Sequence, residues 1–122
     1  MTSSEPRSFQ CITAARAAEL IRSEAAMTIF DVRDPVSYQQ AHVAAAAHLT
    51  EQRLGAWLRR LDKEMPILIY CYHGNASKTY AQMFVDFRFT RVYSVDGGYQ
   101  PLAAALGAQR EVLPAAQGGS QP

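Results

Sequence analysis

The sequence predicts an α/β domain built on a parallel sheet, and three observations carry that prediction. The runs Met27 to Val32, Ile67 to Tyr70 and Arg91 to Val95 are rich in apolar residues and have the length of strands. Between them lie segments of ten or so residues whose apolar positions recur at helical spacing. Ile67 to Tyr70 shows no polar alternation at all, the pattern of a central strand covered on both faces.

Each element has a local reason. Thr13 is placed to cap a helix over Ala14 to Arg22, with Ala14, Ala17, Ala18 and Ile21 on one face. Asp31, Arg33, Asp34 and Pro35 close the strand that begins at Met27, and Pro35 suits the first turn of a following helix. Ala47 to Leu49 carries only a weak strand signal. Leu54, Trp57, Leu58 and Leu61 follow at i, i+3, i+4 and i+7 and define an amphipathic helix whose stripe is core rather than a cofactor box, with Pro66 expected to stop it. Ile67 to Tyr70 is the central strand, with Cys71 at its carboxyl end. Tyr80, Phe84 and Phe87 mark a helix over Ser77 to Phe87. Arg91 to Val95 is the next strand, Asp96-Gly97-Gly98 its turn, and Tyr99 to Leu106 a last short helix. Ligands of such folds bind outside the carboxyl ends of the strands.

Composition bounds the function. A chain of 122 residues, 48% hydrophobic and 19% charged, holds one domain with a real core. That domain is expected over residues 9–113, with polar tails at 1–8 and 114–122. The net charge of +1 is spread without runs, which argues against nucleic acid as a partner. No apolar stretch approaches the ~18 residues of a membrane helix, and no export signal opens the chain, so a cytoplasmic protein off the membrane is expected. Cys11 and Cys71 are too far apart for a zinc pair or a C-x-x-C motif, and no disulfide is expected between them. His42 and His48 find no third ligand, so no metal is expected. Nucleotide-binding glycine motifs and the G-x-S-x-G elbow are absent. Arg33, beside Asp31 and Asp34, reads as a strand-end ion pair ahead of a pocket residue.

One segment gathers the chemistry: Cys71-Tyr72-His73-Gly74-Asn75-Ala76-Ser77. A thiol at a strand end is followed by a short glycine-containing loop and then a helix, whose first backbone N–H groups are free to point at the loop. Such a loop favours an anion, so the Cys71 thiol is expected well below its ordinary ~8.5 and ionised near neutrality. His73 and Lys78 place further positive charge nearby. Cys11 has no such surroundings and reads as an ordinary core or surface residue.

These residues, with Ser77-Lys78, Asp31-Val32-Arg33-Asp34-Pro35, His48-Leu49-Thr50 and Tyr93-Ser94-Val95-Asp96-Gly97-Gly98, resemble the rhodanese family over Phe9 to Leu102. Within it they are most similar to the short single-domain bacterial thiosulfate sulfurtransferases of the GlpE type. The resemblance implies a five-stranded parallel sheet between helices and a ping-pong reaction. The Cys71 thiolate takes the outer sulfur of thiosulfate, releases sulfite, and passes the sulfur from a persulfide to cyanide or to a thiol such as reduced thioredoxin. It implies no cofactor. Backbone N–H groups from Tyr72, His73, Gly74, Asn75, Ala76 and Ser77 would hold the persulfide, and Ser77 would cap the following helix. Ala76 departs from the family, in which a hydroxyl residue or Arg is usual there, and removes one hydrogen bond to persulfide or substrate. Thr79 replaces a glycine of near relatives, and the family's Trp after the second glycine is missing from Tyr99-Gln100-Pro101-Leu102.

Two rival readings bear on the same loop. A cysteine phosphatase needs Arg six residues after the nucleophile to grip phosphate, and Ser77 stands there. A noncatalytic rhodanese-like binding module, or a protein persulfide carrier, would share the scaffold; retention of Cys71 speaks against the first and is neutral toward the second.

Overall fold

In-and-out alternation along the strands sets the layers of the molecule, here a computed structural model that describes residues 8–24, 26–107 and 112–114. The strands are β1 (Gln10–Ile12), β2 (Thr28–Asp31), β3 (Ala41–Val43), β4 (Ala47–His48), β5 (Ile67–Tyr70), β6 (Val92–Val95) and β7 (Val112–Pro114). The helices are α1 (Ala14–Ser23), α2 (Pro35–Gln40), α3 (Glu51–Arg60), α4 (Ala76–Asp86) and α5 (Tyr99–Leu106). Five strands form one sheet in the order β1-β6-β5-β2-β4, and every pairing in it is parallel. β3 and β7 make a separate antiparallel pair.

On one face Ile29, Leu68, Tyr70 and Val95 pack with Ala17 and Ala18 of α1 and Leu102 and Leu106 of α5. On the other, Phe30, Ile67, Ile69 and Val92 pack with Leu58 of α3 and Ala81, Phe84 and Val85 of α4. Neighbouring strand residues thus enter opposite cores, which explains why β5 is apolar throughout. Phe30 centres the second core, edge-on to Trp57 at 5.0 Å and stacked with Phe84 at 5.5 Å. Three helices begin on side-chain caps: Thr13 accepts from the Arg16 N–H, Asp34 from Ser37 and Thr50 from Arg53, each contributing about 1 kcal/mol.

The structure departs from the sequence reading where elements are very short. β1, β3 and β7, of three residues each, have too little pattern to announce themselves and exist through their partners β6 and one another. Pro114, expected in the C-terminal tail, pairs with Ala41 in β7; residues 1–7 and 115–122 of the two expected tails lie outside the described residues. Pro66 does not stop α3, which ends at Arg60 when Leu61 turns to an extended conformation. A turn closed by Met65 N–H to the Asp62 carbonyl follows, and Pro66 instead offers its carbonyl to Thr28 N–H at the start of the β2–β5 pairing. Among the described residues no helix is long and apolar enough to cross a membrane.

Candidate active site

Cys71 leaves β5 at the carboxyl edge of the central strand, and the chain must reverse within a few residues to start α4 at Ala76. Gly74 makes this possible with φ +102°, and a Cβ there would also stand 3.1 Å from the Gly97 nitrogen. The reversal wraps donors around the sulfur. Gly74 N–H reaches Sγ at 3.1 Å and Ser77 N–H at 3.3 Å, while Ser77 Oγ lies 3.4 Å away.

Burial pushes the Cys71 thiol up, since the residue is only 2% exposed, but hydrogen bonds to the sulfur outweigh it. The Ser77 hydroxyl and the amides of Ser77, Gly74 and His73 hold the thiol below its ordinary range. The expected lowering is therefore present, and its source is backbone amides and a hydroxyl. Both His73 and Lys78 are exposed, and the side chain of neither has a hydrogen bond to the sulfur among those described. Beyond the sulfur lies a cavity of about 280 Å³ lined by Val32, Cys71, Tyr72, His73, Asn75 and Ala76. The cavity has room for a further atom on Sγ, and the donors Gly74 and Ser77 lie outside its lining.

The structure brings all the expected loop residues together but divides their roles. Tyr72, His73, Asn75 and Ala76 line the cavity; Gly74 and Ser77 sit behind the sulfur as donors. Ser77 is not the cap of α4. Asn75 occupies that position without a side-chain cap bond, and Ser77 lies one residue inside the helix, fully buried, its hydroxyl turned to Sγ and to Ser94 Oγ at 2.7 Å. The reason is that the helix starts at Ala76, two residues earlier than a Ser77 cap requires. Tyr72 extends outward, and its phenol bonds to Asp34 and to Ser37 Oγ, tying the loop to the start of α2. It lines both the first cavity and a second of about 460 Å³ that includes Arg33, Gln40 and Tyr99.

Several participants escaped the sequence reading. Val32, which follows the last residue of β2, joins the loop residues in lining the cavity. Gly98, read only as a turn residue, presses on the loop itself: a Cβ on it would fall 2.0 Å from the Tyr72 carbonyl oxygen. Tyr99 N–H donates to the Cys71 carbonyl at 2.8 Å. Ser94 had one available signal, a serine among the larger side chains of Val92, Tyr93 and Val95. Arg33 behaves as expected, paired with Asp31 at 2.7 Å with both side chains buried. It also donates to the Ala41 carbonyl and lies 3.9 Å over the Tyr99 ring. His42 and His48 contact the backbone carbonyls of Tyr38 and Arg33, and no metal-binding group of residues occurs among those described. Cys11 is free and exposed on the outer strand β1.

Comparison with known proteins agrees with this architecture. The chain resembles the rhodanese-like domain of an Anabaena protein solved by NMR, with TM-score 0.72 and 22% identity over 97% of this chain and 85% of that one. A rhodanese-like domain protein from Staphylococcus aureus gives TM-score 0.68 and 17% identity, covering 78% of this chain and 92% of that one. A Rhodopseudomonas palustris protein of unknown function, described as a possible tyrosine phosphatase, gives TM-score 0.64 and 24% identity over 80% and 81%. At these identities the structural likeness establishes the fold. The model of the rhodanese-like domain matches residues 13–105, from the cap of α1 into α5, and so spans every strand and loop that shapes the Cys71 cavity. On that match the chain belongs to the rhodanese-like domain family, whose chemistry is in general the transfer or binding of sulfur.

Proposed function

We propose that this protein is a thiosulfate sulfurtransferase of the short single-domain type, working through a persulfide on Cys71. The observation that carries the reading is the set of contacts around Sγ, with Gly74 N–H and Ser77 N–H donating to it and Ser77 Oγ 3.4 Å away, able to donate once the sulfur is a thiolate. They stabilise sulfur as an anion at the two moments when the reaction needs one.

In the first half-reaction the Cys71 thiolate attacks the outer sulfur of thiosulfate. The sulfur–sulfur bond of thiosulfate breaks, its electron pair leaves with sulfite, and a Cys71 persulfide remains. In the second, cyanide or a thiolate attacks the outer persulfide sulfur; the Cys71 bond breaks and the sulfur of Cys71 departs as a thiolate into the same donors. Thiocyanate or a new persulfide is the product, and no cofactor takes part. The cavity of about 280 Å³ gives room for these small species. A cytoplasmic setting with small or protein thiols as acceptors suits this scheme, because a reducing compartment keeps the Cys71 thiol free to be loaded.

Ser77 supports this reading over a phosphatase, because the position that would need a phosphate-gripping guanidinium instead holds a buried hydroxyl on the nucleophile. The test is to incubate the protein with thiosulfate and weigh it intact. Gain of one sulfur atom, lost again on adding cyanide with release of thiocyanate, is expected; Cys71→Ser gains none and keeps its fold. Loading without turnover to cyanide or small thiols points to a persulfide carrier, and an unloaded wild type overturns the mechanism. An arylphosphate assay alongside is expected to show no turnover.

A further inference from the structure

Behind the sulfur lies a second hydroxyl that the reaction scheme does not use. Ser94 sits in β6, paired with Ile69 two residues before Cys71, and shares with Val92 the face covered by α4. It is 1% exposed, and its Oγ lies 2.7 Å from Ser77 Oγ, a full-strength hydroxyl contact. Ser77 is itself fully buried and 3.4 Å from Sγ. A buried hydroxyl on a strand face otherwise filled by apolar side chains is costly without a partner, and alanine would fill that face without needing one.

Each hydroxyl has one proton, so along the line Sγ, Ser77 Oγ, Ser94 Oγ the Ser77 hydroxyl can donate in one of two directions, to the sulfur or to Ser94, but not in both. With Cys71 a neutral thiol, S–H donates to Ser77 and Ser77 donates to Ser94. With Cys71 a thiolate, which only accepts, Ser77 donates to the sulfur and its oxygen accepts from Ser94. In the second direction the Ser94 proton polarises the Ser77 hydroxyl and strengthens its bond to the anion. We propose that Ser94 is a positioning residue for Cys71, turning the Ser77 proton toward the sulfur through their shared hydrogen bond. This rests on the reading of Cys71 as the thiolate nucleophile.

The test follows Cys71 alkylation by iodoacetamide against pH, resolved from Cys11 by peptide mass, and compares the isosteric pair Ser94→Thr and Ser94→Val. Thr keeps a hydroxyl and Val does not, so altered packing affects both alike. With Thr the midpoint for Cys71 is expected at its wild-type position; with Val it is expected to rise by about half to one pH unit, which near neutrality is a roughly three- to tenfold slower reaction. In a Ser77→Ala background, Ser94→Val is expected to add nothing, since Ser94 acts through Ser77. Equal midpoints for the Thr and Val variants, or a full additional shift in the Ser77→Ala background, overturn the proposal. A wild-type midpoint at the ordinary cysteine value, with no sulfur loading, overturns instead the reading of Cys71 on which it rests.

Discussion

At the sulfur of Cys71 two effects of opposite sign meet, and their balance makes the residue useful. Burial alone would leave an inert thiol, while the donors from Ser77, Gly74 and His73 tip it toward the anion. Alkylation of Cys71 is therefore expected to reach half its limiting rate below the pH typical of a free cysteine and to fall as pH drops through that midpoint. Ser77→Ala removes a hydrogen bond to a charged group, about 1.5–3 kcal/mol, and is expected to move the midpoint up by roughly one to two pH units. Because the folded thiol titrates lower than the unfolded one, its ionisation adds stability above the unfolded value of ~8.5, and that contribution vanishes as pH falls through the folded midpoint. Urea unfolding against pH should thus show a rise in wild type that is flatter in Ser77→Ala. The nucleophile was legible in the sequence, since a thiol, a glycine loop and a helix start are local. Ser94 was not, because its partner is 17 residues away and meets it only across the interface of α4 and β6.

At the scale of elements, the loop after β5 is held by the turn after β6. Gly98 lies against the Cys71–Tyr72 peptide, and Tyr99 N–H fixes the Cys71 carbonyl. Gly98→Ala must displace backbone, so sulfur loading is expected to fall at least tenfold, equivalent to about 1.4 kcal/mol of barrier, with a lowered melting temperature. A variant that loads at the wild-type rate would show that the two turns are independent. The other support is the Asp31–Arg33 pair, which joins the end of β2 to Ala41 and to the ring of Tyr99. Arg33→Met leaves Asp31 charged and buried without its partner and is expected to cost about 3–5 kcal/mol in urea unfolding. The pair was visible from residue types alone. Its contact with Tyr99 was not, nor was the early end of α3, because both depend on which segment packs alongside rather than on local pattern.

Across the whole molecule, one sheet separates two cores, and the site lies at the sheet edge where both end. Phe30→Ala on one face and Leu102→Ala on the other each empty a fully buried position, with expected losses of about 3–5 and 2–5 kcal/mol. Fluorescence of Trp57, the chain's single tryptophan, and far-UV circular dichroism should trace the same unfolding curve in both variants, since β2, β5 and β6 contribute side chains to both cores. Separate curves would mean that the two faces fold as independent units.

What the sequence determined by itself is whatever depends on neighbours in the chain: the apolar runs of β2, β5 and β6, the capped amphipathic helices, and a cysteine loop built to favour an anion. Tertiary structure alone decided the pairing of β1, β3 and β7, the displacement of Ser77 from cap to sulfur donor, and the meeting of Ser94 and Gly98 with the Cys71 loop. The physical reason is that periodicity and capping act within a few residues, whereas a buried hydrogen bond or a close backbone approach depends on where the sheet brings distant segments.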